Sequence, residues 1–193
     1  MWFKWIYRAC FCLGLGVLAQ GLYMPSKALL AQHLIAQAWA DTRKSGDIKA
    51  PWPWMDAYPI AELALPDEKP HIVLNTDSGQ ALAFGPALVS QETFKPEEMI
   101  AIAAHKNTQF GRLKELKANQ NISLTLKTGE KQTYRVTGTQ IIDTRKEVLR
   151  DQGPSTLALI TCYPFDAVSF NGPLRYVVFA ERVVSDSDTP ISA

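Results

Sequence analysis

The sequence has few cysteines with which to form disulfide bonds. It contains three in 193 residues, and two of them, Cys10 and Cys12, lie in an apolar N-terminal stretch. Cys162 is therefore the single thiol in the rest of the chain. Disulfide-stabilised secreted domains need an even set of spaced cysteines, so that class of protein is excluded. Cys162 is either a buried core residue or a residue kept for its reactivity.

The chain also lacks an excess of charge of either sign. Twenty Lys and Arg residues stand against nineteen Asp and Glu residues, which gives a formal net charge of +1. Nucleic-acid-binding domains carry a basic patch or stripe, and no basic block is present here, so we expect no nucleic-acid partner. The sequence has no Cys-x-x-Cys, His-x-x-x-His or acidic calcium-loop motif, so we predict no metal and no cofactor.

One long apolar segment lies at the N-terminus. Lys4 and Arg8 precede an uncharged run over residues 9–26, which Trp and Tyr residues border. This arrangement is typical of a membrane-spanning helix, and the run is near the lower length limit for one. We predict an uncleaved signal-anchor over residues 1–26, with a cleaved signal peptide or a buried helix as alternatives. The first two interpretations place the rest of the chain outside the cytosol.

Residues 27–59 are predicted to form a helix followed by a linker. Apolar residues recur at three- and four-residue spacings, namely Leu30, Leu34 and Ala38 together with Leu29, Ile35 or Trp39. Gly46 is a suitable helix end. Three prolines over residues 47–59 exclude a helix or a central strand there. The two tryptophans of this linker either pack on the following domain or lie near its binding groove.

From residue 60 onward, short strand-like runs alternate with turn signals. The runs cover residues 60–65, 71–76, 80–84, 99–104, 121–127, 132–143, 156–162 and 175–184. The segments NTDSGQ and KTGEKQ predict hairpin turns, and FGRLKEL (110–116) is the only helical turn expected in this part. These short strands predict a mainly β domain over residues 60–193, either a compact, mostly antiparallel barrel or a sandwich.

Three ends of predicted strands carry side chains suited to acyl transfer. His105 and Cys162 each follow an apolar run, and Arg175 opens the last strand. A thiolate is a nucleophile, an imidazole can protonate an amine leaving group, and a guanidinium can stabilise an oxyanion or a nearby thiolate. Each residue also has an ordinary structural interpretation. The spacing does not show that the three side chains meet in space.

The sequence around Cys162 resembles the sortases, which are cysteine transpeptidases of cell surfaces. Their pattern is a Thr-Leu-x-Thr-Cys strand, a short loop and an Arg that opens the last strand. The segment TLALITC fits this pattern through Thr156, Leu157, Thr161 and Cys162, and Arg175 is in the matching place. Relative to the shortest form of the pattern, two residues are inserted after Leu157.

Several other segments extend the resemblance over roughly residues 27–184. HKNTQFGRLKEL is similar to the histidine motif of the family, in which a Phe and two Leu follow the His. KALLAQHLIAQAW, PWPWMDAYPIAEL and SGQALAFGP are similar to segments of sortases from Gram-negative, chiefly marine, proteobacteria. The chain departs from the family pattern at Ala104, Lys106 and Asn107, and none of these departures removes a catalytic side chain.

The resemblance implies a sortase-like eight-stranded β-barrel enzyme. Residues 9–26 would anchor it in the inner membrane, with the catalytic domain in the periplasm. Cys162 would attack the Thr carbonyl of an LPXTG-like sorting signal on a surface protein and form a thioacyl-enzyme. His105 would protonate the departing amine, and Arg175 would hold the carbonyl or its oxyanion. An amine acceptor, which the sequence does not identify, would then resolve the thioester.

Five residues next to these three are expected to shape the substrate site. They are Asn107, Thr108, Thr161, Tyr163 and Pro164. Thr161 would point away from Cys162 on a strand, which favours a role in backbone placement.

Three other functions remain open. The chain could be a non-catalytic exported barrel that binds peptides, or a cysteine protease in which water resolves the thioester. An L,D-transpeptidase is a further alternative, although its Ser-His-Gly-Cys-type motif places the His close to the Cys, unlike His105 and Cys162.

Overall fold

The computed structural model describes residues 2–89, 94, 98–167 and 172–183. A long helix comes first, and the strands that follow are interrupted by one short helix and one 3-10 turn. In chain order the elements are α1 (Trp2–Ser45), β1 (Pro59–Ala64), β2 (His71–Leu74), α2 (Gly79–Phe84), β3 (Ala87–Leu88), β4 (Ile100–Ala103), the 3-10 turn (Leu113–Glu115), β5 (Asn121–Leu126), β6 (Lys131–Asp143), β7 (Thr156–Cys162) and β8 (Leu174–Arg182).

The eight strands close into a barrel. Their order around it is β1-β2-β3-β4-β7-β8-β6-β5. Two neighbouring pairs, β2 with β3 and β4 with β7, run parallel, and the other pairs run antiparallel. The predicted mainly antiparallel, eight-stranded barrel is confirmed.

Side chains alternate between the two faces of β4, β7 and β8. One set lies in the barrel interior and includes Ile100, Ile102, Leu157, Leu159, Val178 and Ala180. The other set forms a separate layer outside the barrel, with Met99, Ala101, Ala158 and Val177 at its centre and Val89, Leu149, Ile160 and Phe179 at its edges. We call this second set the outer layer. Successive side chains of a strand point to opposite faces, so every second residue along β4, β7 or β8 faces the same side of the barrel wall.

The structure corrects one strand and one turn of the sequence interpretation. Residues 80–84, predicted as a strand, lie in α2, because Ser78 caps this helix by accepting a hydrogen bond from the Ala81 amide at 3.1 Å. The NTDSGQ segment therefore leads into a helix and forms no hairpin. The remaining strand of the barrel is β3, whose two residues are too few to show an alternating pattern.

The second predicted hairpin is confirmed. The KTGEKQ segment joins β5 to β6, and the Leu126 amide donates to the Glu130 carbonyl at 2.8 Å. Gly129 has a φ of +89°, a conformation that glycine adopts without steric cost. The turn fixes the register of the two strands that close the barrel next to β1.

The N-terminal segments form one continuous helix. We expected an anchor over residues 1–26 and a separate helix to Gly46, whereas α1 runs unbroken over Trp2–Ser45. It is long and apolar enough to cross a membrane. The helix has one buried stripe, which includes Ile35, Ala38 and Trp39 of the predicted series, whereas Leu30 is 57% exposed. The stripe consists of Ala31, Ile35, Ala38, Trp39 and Thr42.

The C-terminal half of α1 and the linker pack against the barrel. Ile35 belongs to an apolar cluster with Leu74 of β2 and Ala81 of α2. Trp52 is packed against the same cluster, with its ring 5.2 Å from that of Phe84 between centroids. One of the two linker tryptophans therefore packs on the domain. The other, Trp54, is 77% exposed.

Replacing Ile35 by Ala should destabilise the protein, because truncation of this buried side chain leaves a cavity between α1 and the barrel. We expect the free energy of unfolding of the full-length chain in detergent micelles to fall by about 2–4 kcal/mol. Leu29→Ala, at a position that is 73% exposed, is the matched control and should change it by less than about 0.5 kcal/mol. Equal effects in denaturant titrations would contradict the packing of α1 on the barrel.

Candidate active site

The pairing of β7 with β8 brings Cys162 opposite Arg175. The register is continuous from the Thr156–Glu181 pair to the Cys162–Arg175 pair. Directly opposed residues of antiparallel strands have Cβ atoms about 4.5–5.5 Å apart. Both residues are half-buried. A thiol and a guanidinium therefore lie side by side at one end of the barrel wall.

The parallel strand β4 brings His105 to the same end. Ala103 is the partner of Ile160, and the Ala104 amide donates to the Ile160 carbonyl at 3.1 Å. The chain thus leaves β4 with His105 next to the end of β7, where Cys162 lies. His105 is exposed to solvent.

The alternation of side chains places all three residues on one side of the wall. Cys162 continues the series Ala158 and Ile160, which belongs to the outer layer. Arg175 precedes Val177 by two residues in the same layer, and His105 continues the series of residues 99, 101 and 103. The register therefore places Cys162, Arg175 and the segment that carries His105 at the same end of the barrel wall.

The loop that carries His105 is anchored in the core. Phe110 and Leu113 are fully buried, and Leu116 packs at the edge of the interior cluster. The His105 carbonyl accepts hydrogen bonds from the amides of Thr108 and Phe110, at 3.3 and 3.1 Å. The Phe and the two Leu of the histidine motif thus hold the turn that begins at His105.

Arg175 is held by backbone carbonyl groups. Its Nη1 atom donates to the Gly172 carbonyl at 2.7 Å and to the Leu174 carbonyl at 3.0 Å. Over the described ranges of the chain, the side chain forms no ion pair. A nearby acid, Asp143, is instead bound by Arg145, whose hydrogen bonds lower the pKa of Asp143 to about 2. The carboxylate of Asp143 is therefore already occupied by another cation.

The five neighbouring residues occupy different environments. Asn107 and Thr108 are exposed on the His105 loop, where the Thr108 hydroxyl contacts Gln109 Oε1. Tyr163 and Pro164 follow Cys162 directly; Tyr163 is half-buried and Pro164 is exposed. A cis peptide bond joins Tyr163 to Pro164. These four residues lie in the two segments that follow β4 and β7.

Thr161 differs from the other four. Its side chain is 2% exposed, and its hydroxyl donates to the Ala104 carbonyl at 2.7 Å. A buried side chain has no surface to offer a substrate, so we assign Thr161 to the barrel wall instead of the substrate site. The hydrogen bond joins β7 to the residue just before His105.

Two features of the site were missed in the sequence. The side chain of Lys106 is buried beneath the loop after Cys162, although the sequence marked it only as a departure from a family pattern. Tyr163, Phe165 and Tyr176 form an aromatic cluster with centroid separations of 5.2–6.4 Å. The residues before and after Cys162 gave no periodic signal for this cluster, because Tyr176 comes from another strand.

Comparison with known proteins supplies the family. A family model described as "Sortase domain" matches residues 64–183. The chain belongs to the sortase family. It is similar to sortase D of Bacillus subtilis (strain 168), with 33% identity over 97 residues, or 48% of each protein. The match thus spans about half of the length of that relative.

Solved sortase structures share the barrel. The chain superposes on sortase A from Corynebacterium diphtheriae with a TM-score of 0.55 and 20% identity, covering 71% of this chain and 66% of that one. It superposes on a Clostridium perfringens sortase D5 transpeptidase with a TM-score of 0.59 and 17% identity, covering 80% of this chain and 96% of that chain. At these identities the similarity shows a common fold.

Removal of the Thr161 hydroxyl should weaken the wall of the site, because the Ala104 carbonyl loses its donor. We expect Thr161→Val to lower the free energy of unfolding by about 1–2 kcal/mol in denaturant titrations. Thr161→Ser keeps the hydroxyl and serves as the control for its hydrogen bond. If the Val variant had the same free energy of unfolding as the Ser variant, the hydrogen bond would contribute nothing to the stability of the barrel.

Proposed function

We propose that the protein is a membrane-anchored cysteine transpeptidase that cleaves an LPXTG-like sorting signal and transfers the product to an amine. The observation that supports this proposal is the register of β4, β7 and β8. Cys162 is paired with Arg175, and Ala103, two residues before His105, is paired with Ile160, two residues before Cys162. The two strand ends mount the thiol and the guanidinium on rigid backbone. Membership of the sortase family supports the same reaction class.

The first half of the proposed reaction forms an acyl-enzyme. The Cys162 thiolate attacks the Thr carbonyl carbon of the signal, and the C–S bond forms as the carbonyl oxygen becomes an oxyanion. Arg175 stabilises this charge through its guanidinium. The Thr–Gly C–N bond then breaks, and the His105 imidazolium gives its proton to the departing amine. The products are a thioester on Cys162 and the free C-terminal peptide.

The second half transfers the acyl group. An incoming amine attacks the thioester carbon, and the neutral His105 imidazole removes the proton that this amine must lose. The C–S bond breaks and restores the Cys162 thiolate, so the substrate is joined to the amine through a new amide bond. Hydrolysis is the same step with water as the nucleophile, and it would make the protein a protease.

The outer layer offers a surface for the apolar part of the signal. Ile160, which is partly buried, precedes Cys162 by two residues in this layer, and Phe179 lies further along β8, opposite Ala158. Leu149 from the β6–β7 connection lies against the same layer. A half-exposed apolar surface suits the Leu and Pro of an LPXTG sequence. Asn107 and Thr108 on one side, and Tyr163 and Pro164 on the other, would contact the residues near the scissile bond.

We further propose that residues 9–26 span the inner membrane of a Gram-negative bacterium, with the barrel in the periplasm. Lys4 and Arg8 precede the span, and the positive-inside rule places them on the cytoplasmic side. The side chains described in this part of α1 are exposed, as lipid-facing side chains would be. Assignment to the marine proteobacterial subgroup rests on the similar segments in α1, the linker and α2.

Mixing the full-length protein in detergent with an LPXTG peptide should give a covalent adduct. We expect the intact mass to rise by the mass of the peptide up to its Thr residue, because a thioester forms on Cys162. Cys162→Ala should give no adduct, whereas a Cys10→Ser/Cys12→Ser double variant should react like wild type. Intact-protein mass spectrometry measures all of these.

The same experiment distinguishes the alternative functions. A peptide-binding barrel would retain its affinity for the peptide in Cys162→Ala and would cleave nothing in the wild type. A protease would release the acid product at the same rate with or without added amines. Either result with a folded protein would contradict the transpeptidase proposal.

Loss of the guanidinium should slow acylation strongly. We expect Arg175→Ala to lower the rate constant of adduct formation by about 100- to 1,000-fold, because the oxyanion loses its principal donor. Arg182→Ala, in the same strand, is the control and should leave the rate constant within about twofold. A small effect of Arg175→Ala in single-turnover measurements would remove this residue from the mechanism.

A further inference from the structure

A buried lysine follows directly after His105. Lys106 is 6% exposed, although lysine side chains are almost never fully buried unless they are paired. The proposed chemistry does not use it. Its burial therefore needs a separate explanation.

The ammonium group of Lys106 joins two loops. Nζ donates to the Pro164 carbonyl at 2.6 Å and to the Ala167 carbonyl at 2.7 Å. Lys106 belongs to the loop that begins at His105, while the two acceptors belong to the loop that begins after Cys162. Hydrogen bonds from a charged donor are about twice as strong as neutral ones. One side chain thus ties the two catalytic loops together.

The far end of the second loop is fixed in a different way. Both the amide and the hydroxyl of Thr144 donate to the Pro173 carbonyl, at 3.0 and 2.9 Å, and Arg175 binds the Gly172 carbonyl. The near end has a local bond from the Ala167 amide to the Pro164 carbonyl at 3.3 Å, which closes only a single turn. The Phe165 ring also packs against Tyr176 and lies under Lys114 Nζ at 5.6 Å, while Lys106 supplies the hydrogen bonds that join the carbonyls of that turn to the histidine loop.

The position of His105 depends on its backbone. Over residues 98–167 and 172–183, no hydrogen bond holds the exposed imidazole. The main chain before it is fixed by the β4–β7 ladder. After it, the chain is held by the hydrogen bonds of the Thr108 and Phe110 amides to the His105 carbonyl and by the buried side chain of Lys106. A movement of Lys106 would be passed directly to the imidazole.

We propose that Lys106 is a positioning residue for transpeptidation, which fixes His105 relative to Cys162 by binding the turn formed by residues 164–167. This inference rests on the proposed function, since it assigns a role in that reaction. Lys106 does not touch the reacting atoms. It acts through the geometry of the two loops.

The test compares Lys106→Met with Lys117→Met in the full-length protein in detergent. Met keeps an apolar stem and removes the ammonium, and Lys117 is an exposed lysine that follows the same loop. Hydrogen–deuterium exchange should be about 10- to 100-fold faster in peptides covering residues 163–167 of Lys106→Met. The rate constant for adduct formation with the LPXTG peptide should fall about 10- to 100-fold, with KM within about twofold. Lys117→Met should change neither.

The two readouts separate a positioning role from a merely structural one. Unchanged exchange in Lys106→Met would overturn the proposal, because the loops would not depend on the ammonium. Faster exchange with an unchanged acylation rate would also overturn it, because the tie would then have no bearing on catalysis. If Lys106→Met does not fold, Lys106→Gln keeps an N–H donor on a shorter side chain and should show both effects at smaller size.

Failure of the proposed substrate would be visible separately. If wild type forms no adduct with the peptide, alkylation of Cys162 by iodoacetamide replaces acylation as the readout. A displaced imidazole would support less thiolate, so Lys106→Met should be alkylated at least about threefold more slowly than Lys117→Met. Equal alkylation rates would overturn the positioning role whatever the substrate is.

Discussion

The parallel pairing of β4 with β7 is the constraint on which the site depends. It brings two segments that are distant in sequence to the same end of the barrel, so that His105 follows one strand where Cys162 ends the other. The antiparallel partner β8 then adds Arg175 directly opposite Cys162. A slip of one residue in either ladder would turn the affected side chain to the opposite face of the wall.

Closure of the barrel protects this register. The interior cluster draws on all parts of the wall, and Leu157, Leu159 and Val178 in it are fully buried. Any shift of β7 would expose these side chains to the outer face. The hydrogen bond of Thr161 to the Ala104 carbonyl adds a direct link between the two catalytic strands. Stability of the core and geometry of the site thus have the same physical origin.

The loops extend the rigid wall into a site. Phe110 and Leu113 bury the end of the histidine loop, and Thr144 and Arg175 hold the far end of the loop after Cys162. Lys106 joins the histidine loop to the start of the loop after Cys162 through hydrogen bonds to the Pro164 and Ala167 carbonyls. At the other side of the barrel, α1 is both a segment apolar enough for a membrane and a packed part of the domain. Because α1 is continuous over Trp2–Ser45, its apolar N-terminal part and the part that packs on the barrel belong to one helix.

The sequence by itself determined a mainly β domain, most strand positions and the candidate thiol, imidazole and guanidinium, because period-two alternation and strand-end placement are local properties. The choice of a barrel over a sandwich came from the resemblance to the sortases. It placed residues 80–84 in a strand and missed β3, since a serine cap and a two-residue strand leave weak local signals. Only the tertiary structure decided that the Thr161 hydroxyl binds the Ala104 carbonyl and that Lys106 reaches the loop after Cys162. Those contacts join residues nearly sixty positions apart, and strand register, which no local pattern encodes, brings them together.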